Sequence, residues 1–124
     1  MKNVDHEKVA VIGSRDFTDY KKLCEVLDKY DIHEIVSGGA RGADSLAAKY
    51  AKERGIGLTE FFPDWSAGKH AGHVRNQHII DHCDIVFAFW DMESKGTKDS
   101  ITKAKRANKP VIIINVSGKG LDFD

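Results

Sequence analysis

The sequence predicts a three-layer α/β domain: a five-stranded, mainly parallel sheet with helices on both faces. Three observations carry this. Short apolar runs alternate with segments of helical periodicity along the chain, as strand–helix–strand crossovers require. The runs are continuously apolar and do not alternate, which suits strands buried on both faces. Right-handed crossovers between successive strands then make a parallel sheet the simplest topology.

Lys8 to Ile12 reads as the first strand, ended by Gly13. Thr18 is placed to cap a helix in which Leu23, Val26, Leu27 and Tyr30 recur at helical spacing. Glu34 to Val36 is the second strand, stopped by a glycine cluster. A helix from Gly42 to Arg54 presents Leu46, Ala47, Tyr50 and Ala51 on one face and stops at Gly55. Leu58 to Phe62 is the third strand, closed by Pro63. A polar stretch from Asp64 to Gly72 leads into a helix over 71–81, and Asp84 to Trp90 is the fourth and most apolar strand. A turn at Ser94-Lys95-Gly96 precedes a helix from Thr97 to Asn108, and Val111 to Ile114 is the fifth strand. The tail from Ser117 to Asp124 carries weak signals and is expected to fray.

A chain of 124 residues fits one domain spanning 1–124. Such a domain buries about two-thirds of its unfolded surface and needs no covalent staples. Lys plus Arg and Asp plus Glu balance at 19 each, so the formal charge is zero. A protein that coats nucleic acid usually carries a basic excess, so an anion site here must be local. The two cysteines, Cys24 and Cys83, form no C-x-x-C pair, which argues against a disulfide framework and a cysteine zinc site. Residues 1–7 lack the apolar run of a signal peptide, and no stretch has the length of a membrane span. The expectation is a soluble cytoplasmic protein without membrane contact.

In open parallel sheets, ligands bind beyond the carboxyl ends of the strands, near the point where strand order reverses. Four segments occupy that rim. The strongest is Ser37-Gly38-Gly39-Ala40-Arg41-Gly42, whose glycines permit close backbone approach and which opens directly into a helix. Free amides and the dipole at that helix start favour an anion, and Arg41 adds a bidentate donor. Asp44 reads as a first-turn carboxylate or as a contact to a ribose hydroxyl. The bland alternative is a tight strand-to-helix turn without a ligand. The loop has neither the G-x-G-x-x-G spacing of a dinucleotide site nor the Gly-Lys-Ser/Thr ending of a P-loop.

Gly13, Ser14 and Arg15 follow the first strand and offer a sharp turn, a hydroxyl and a phosphate partner. Gly96 and Thr97 start a second helix facing the same crevice, with Thr97 placed as its cap. Arg75 and Asn76 lie on a helix that begins near the same rim. Trp65 or Trp90 could stack on a base, and each is equally suited to a core or an interface. His70, His73, His78 and His82 invite a metal reading, and His78 and His82 have the i, i+4 spacing of a metal pair. However, His73 points away from them and no Glu follows His78 as in zinc proteases, so neither a metal nor a cofactor is expected.

These residues resemble the SLOG superfamily, specifically its YspA/YpsA-related branch of small Rossmann-like domains. The resemblance rests on Gly13-Ser14-Arg15 with Phe17, Ser37 to Asp44, Ala71-Gly72-His73-Val74-Arg75-Asn76, and Gly96-Thr97, in that order along nearly the whole chain. It implies recognition of a nucleotide or nucleotide-derived ligand. Phosphoribohydrolases of the LOG type share the architecture and cleave an N-glycosidic bond. From its first glycine onward, their Pro-Gly-Gly-x-Gly-Thr-x-x-Glu motif aligns with Glu93 to Ser100, placing Ser100 where they carry the supporting glutamate. This departure argues against hydrolysis. The DNA-processing protein A family, which binds single-stranded DNA, is similar through Gly-Ser-Arg and Ser-Gly-x-Ala-Arg-Gly-x-Asp, but with more basic surface and extra modules.

The sequence therefore predicts a module that senses, carries or sequesters a nucleotide-derived small molecule. Gly13, Ser14, Arg15, Ser37, Gly38, Gly39, Ala40, Arg41, Gly42, Asp44, Arg75, Asn76, Gly96 and Thr97 are its candidate ligand residues. The alternatives are a nucleotide hydrolase using Asp44, Asp64 or Asp99, and a binder of single-stranded nucleic acid. A homodimer is expected from the habit of related domains of pairing through helices.

Overall fold

The computed structural model describes residues 5–117, with side chains from Lys8 onward; the tail expected to fray lies almost wholly outside the described residues. The elements are β1 (Asp5–Gly13), α1 (Tyr20–Leu27), β2 (Asp31–Ser37), α2 (Ala43–Arg54), β3 (Gly57–Glu60), a short 3-10 turn (Trp65–Ala67), α3 (Ala71–Asp81), β4 (Ile85–Trp90), α4 (Lys95–Arg106) and β5 (Val111–Asn115). The five strands form one sheet in the order β3-β2-β1-β4-β5, and every pairing is parallel. No helix among the described residues is long and apolar enough to cross a membrane.

The continuous apolar runs are explained by the two cores. Val9 and Val11 of β1 face one core with Ile35, Phe87 and Phe89, under α1 and α2. Ala10 and Ile12 face the other with Val36, Val86 and Ala88, under α3 and α4. Aromatic rings lock the first layer: Phe17 stacks on Phe89 at 5.2 Å, and Tyr30 meets Phe87 edge-on at 4.9 Å.

Several element ends differ from the sequence expectation, β3 among them, which stops at Glu60 and not at Phe62. α1 begins at Tyr20 and is capped by Asp19, whose carboxylate accepts the Lys22 N–H at 3.0 Å, so Thr18 is not the cap. A carboxylate caps at least as well as a threonine hydroxyl and carries the charge that the helix start favours. Its C-terminal end is at Leu27, which frees Tyr30 to turn onto Phe87. α4 begins at Lys95, so Thr97 lies in the first turn, its hydroxyl 3.2 Å from that of the capping residue Ser94.

The chain runs outward from β1 through β2 to β3, then returns across the sheet to β4 and β5. Strand order therefore reverses between β1 and β4, and the chain leaves β1 toward α1 on one face of the sheet and β4 toward α4 on the other. A crevice opens at that point, as the topology requires.

Candidate ligand-binding site

The crevice is built by stitching three turns together. Where β1 ends, the Ser14 N–H donates to the Phe89 carbonyl at 3.0 Å, and the Ser14 carbonyl accepts the Ala43 N–H at 3.1 Å. A Cβ on Gly13 would fall against the Phe89 carbonyl and 2.8 Å from the Ala43 Cβ, so only glycine lets β1, β4 and α2 meet here. Ser14 is buried, its hydroxyl 3.3 Å from the Asp91 carboxylate and accepting the Asp16 N–H at 3.2 Å. It holds the turn and is not presented to the crevice.

The glycine loop after β2 is tied inward as well. The Asp44 carboxylate accepts the Ala40 N–H at 3.1 Å, and the buried Ser37 hydroxyl accepts the Gly39 N–H at 3.4 Å. Two amides that the sequence suggested for an anion are thus engaged within the loop. Gly38 leaves room for the Arg75 guanidinium, which would lie 2.6 Å from a Cβ there, and Gly39, at φ +72°, leaves room for the Phe62 ring. Gly42 sits behind the loop at the start of α2, against the turn after β1.

Positive charge at the site comes from side chains. Arg75 is half-buried; its Nη1 donates to the Gly38 carbonyl at 2.7 Å and its Nε to the Asn76 side-chain oxygen at 3.0 Å. Burial lowers its pKa and the nearby Asp44 charge opposes that, but a guanidinium keeps its proton throughout. Arg15 is exposed, and Arg41 is 74% exposed and 3.5 Å from Asp16, an ion pair too open to contribute much.

The three candidate carboxylates differ in what they can do. Burial pushes the Asp44 carboxyl up to about 6; the Ala40 amide, the Arg75 charge and the Gly38 amide pull the other way, and Glu60 adds to the rise. Asp99 lies behind Asn76, which donates to it at 3.0 Å, and it also meets Lys103 at 2.8 Å and His73 at 3.2 Å. Partial burial works against its charge, but the three partners outweigh it and hold its carboxyl below the ordinary range. Asp64 caps the 3-10 turn, accepting the Ser66 N–H at 3.1 Å. Asp44 is the carboxylate that lines the crevice.

Two connected cavities result. An inner chamber of about 80 Å³ is bounded by Gly13, Asp44, Arg75, Asn76, Gly96 and Thr97, with Ser94 and the buried Ser100 at its wall. An outer cavity of about 370 Å³ is bounded by Gly39, Arg41, Phe62, Pro63 and Trp65. Arg15, Gly38, Ala40 and Arg75 border both. The candidate residues thus come together except Ser14, Ser37 and Gly42, which brace the turns from behind. Trp90 is no stacking surface, because its indole N–H donates to the Ser94 carbonyl at 3.1 Å and its ring packs on the second core. Trp65 is 62% exposed, and Phe62 is 64% exposed beside it. Phe62 is not among the residues that the sequence places at the site. In Phe61-Phe62-Pro63 the strand ends at Glu60, Phe61 turns into the second core, and the next ring is left at the rim.

The histidines disperse. His82 lies 3.3 Å from Glu34, His78 packs on Phe61, and His73 faces Asp99. The described residues contain no group of three or more side chains that could hold a metal ion.

The family model for the YspA, cpYpsA-related SLOG family matches residues 7–68, half of the chain. Gene 61 protein of Mycobacterium phage D29 is 32% identical over 118 residues, covering 85% of this chain and 94% of that protein. This chain belongs to the YspA, cpYpsA-related SLOG family. Among solved structures, DNA processing protein A from Streptococcus pneumoniae superposes with a TM-score of 0.76 at 22% identity, covering 94% of this chain. The Helicobacter pylori protein, whose structure describes a single-stranded DNA binding mode, gives 0.60 at 26% identity over 86% of this chain. This SLOG chain spans 52% and 64% of those two longer proteins. The segment matching the family model includes Arg15, the glycine loop, Asp44, Phe62 and Trp65. Arg75, Asn76, Gly96 and Thr97 lie beyond it, so α3 and α4 supply the other wall of this SLOG crevice.

Proposed function

We propose that this protein binds a nucleotide-type ligand without cleaving it, with the base over Phe62 and Trp65 and the phosphate at Arg15 and Arg41. The observation that carries this reading is the outer cavity itself. Two large aromatic side chains stand exposed on its rim beside arginines and a glycine-lined backbone. Exposed aromatic rings next to cations fit a planar base joined to a phosphate; stacking of one base contributes about 1–3 kcal/mol. The loop amides of Gly39 and Ala40 are engaged internally, so the arginine side chains carry the anion. Binding in preference to hydrolysis is supported by the carboxylates. Asp99 is held by three partners outside the crevice, and Ser100 stands where related hydrolases carry glutamate.

A panel of nucleoside monophosphates and ADP-ribose tested by thermal unfolding checks this reading. A ligand at a hundred times its dissociation constant adds about 2.7 kcal/mol of stability. Phe62→Ala and Trp65→Ala should each weaken binding about tenfold or more while leaving the unliganded midpoint nearly unchanged, since both rings are exposed. No stabilisation by any panel member at millimolar concentration contradicts the proposal.

A second reading is single-stranded DNA, favoured by the Helicobacter pylori relative and by the open rim of the outer cavity. The formal charge of zero supports contact with few phosphates. A single strand bound across many phosphates loses affinity steeply between 50 and 200 mM salt, by about 300-fold for six contacts. A single phosphate at two arginines gives a shallow slope.

A further inference from the structure

We propose that the inner chamber receives the vicinal hydroxyls of a ribose, with Asp44 as their acceptor, so that the site selects ribonucleotides over 2′-deoxyribonucleotides. This rests on the nucleotide-binding reading above and assigns the sugar its place within it.

The chamber offers its ligand a carboxylate acceptor. Asp44 forms one wall, buried and set in the first turn of α2, with Glu60 adding to the negative potential around it. A phosphate there would meet the Asp44 carboxylate as well as the arginines, a repulsion that a hydroxyl does not suffer. Arg15 and Arg75 offset that repulsion with their charges, but the Arg75 Nη1 and Nε are directed to the Gly38 carbonyl and to Asn76 and not into the chamber. A hydroxyl is the opposite case. It donates to the carboxylate in a charge-assisted hydrogen bond, the strongest ordinary kind. A carboxylate offers about four acceptor positions, and the Ala40 and Gly38 amides draw on it from the loop side only.

The remaining lining suits the same group. Thr97 and Ser94 carry hydroxyls that donate or accept, and both line this chamber. At about 80 Å³, it has room for two or three water-sized groups and not for a base. That matches the edge of a vicinal diol. Arg15, Gly38, Ala40 and Arg75 border both cavities, so a sugar seated here adjoins the cavity that holds the base and the phosphate. The two cavities therefore divide a nucleotide by chemistry: donors inward to Asp44, anion and ring outward.

The test is isothermal titration of the wild-type protein with each of the four ribonucleoside 5′-monophosphates and its 2′-deoxy counterpart. At least one ribonucleotide should bind about tenfold or more tightly than its deoxy form, the effect of removing one hydrogen bond to a charged acceptor. Asp44→Asn should reduce that preference to severalfold, because the amide oxygen still accepts but without charge. Equal affinity for ribo and deoxy forms overturns this inference and leaves the nucleotide-binding proposal standing. Failure of every nucleotide to bind at millimolar concentration overturns both. The wild-type comparison decides the matter even if the variant misfolds.

Discussion

Replacing Gly42 with alanine will lower the unfolding free energy by about 3 kcal/mol and dismantle the ligand site with it. Gly42 has φ +75° and ψ −129°, a region that costs a non-glycine residue about 1–3 kcal/mol. A Cβ there would also land on the Ser14 carbonyl oxygen and 2.5 Å from that of Arg15. Both are backbone atoms of the turn after β1, and the Ser14 carbonyl is the acceptor that anchors the start of α2 through Ala43. Neither can move without opening the junction of β1 and α2. Gly55→Ala is the internal control. Gly55 ends the same helix at φ +67°, and a Cβ added there would meet nothing within 4 Å, so the change should cost only the left-handed backbone term, about 1–2 kcal/mol. Urea unfolding of both variants checks this. Equal losses would show that the contact between the two turns is not what Gly42 protects.

Asp44→Asn will have the opposite sign at neutral pH. The Asp44 carboxyl is raised by burial from its ordinary 3.8 to about 6 in the folded protein. Between those values the folded state binds more protons than the unfolded one, so stability falls as pH rises through this window. Above pH 6 the folded protein carries a buried charge that the unfolded chain solvates, at a cost of about 3 kcal/mol. Below pH 4 that cost is absent. Asparagine keeps an oxygen for the Ala40 N–H and removes the charge. The variant should therefore be more stable than wild type by about 3 kcal/mol at pH 7.5, with the gap closing by pH 4. Asp28, Asp91 and Asp99, whose carboxyls are all lowered, contribute the reverse slope to both proteins and cancel in the comparison. A difference independent of pH would contradict the burial assigned to this carboxylate. A carboxylate kept ionised in the crevice at such a cost is the pattern of a group retained for binding.

How much of this is legible in the sequence follows from which forces act locally. Apolar runs such as Val9–Ile12 and Ile85–Phe89 dictate the sheet because burial on both faces leaves no other pattern, and the two cores bear this out. The glycine loop and the arginines are legible because positive-φ turns and charged rims have short-range signatures. Hydrogen-bond direction is not. Whether the Ala40 amide points to a ligand or to Asp44, four residues on, depends on how α2 packs against β1. The same holds for Asn76, which reads as a rim residue but ties α3 to Asp99 of α4. Phe62 escapes because a strand-end aromatic looks like core until the strand's last residue is known. The cap of α1 falls one residue beyond the expected Thr18 because Thr18 and Asp19 are both good caps, and side-chain geometry selects the second.

That one ligand bridges the glycine loop, the outer arginines and the exposed aromatic pair is tested most directly by an NMR titration of isotope-labelled protein with AMP, GMP and ADP-ribose. At least one ligand should shift the amides from Gly38 to Arg41, the Arg15 side chain and the Trp65 indole together, with the Trp90 indole, bonded to Ser94, nearly still. Shifts confined to another face of the molecule, or none at millimolar ligand, would contradict it.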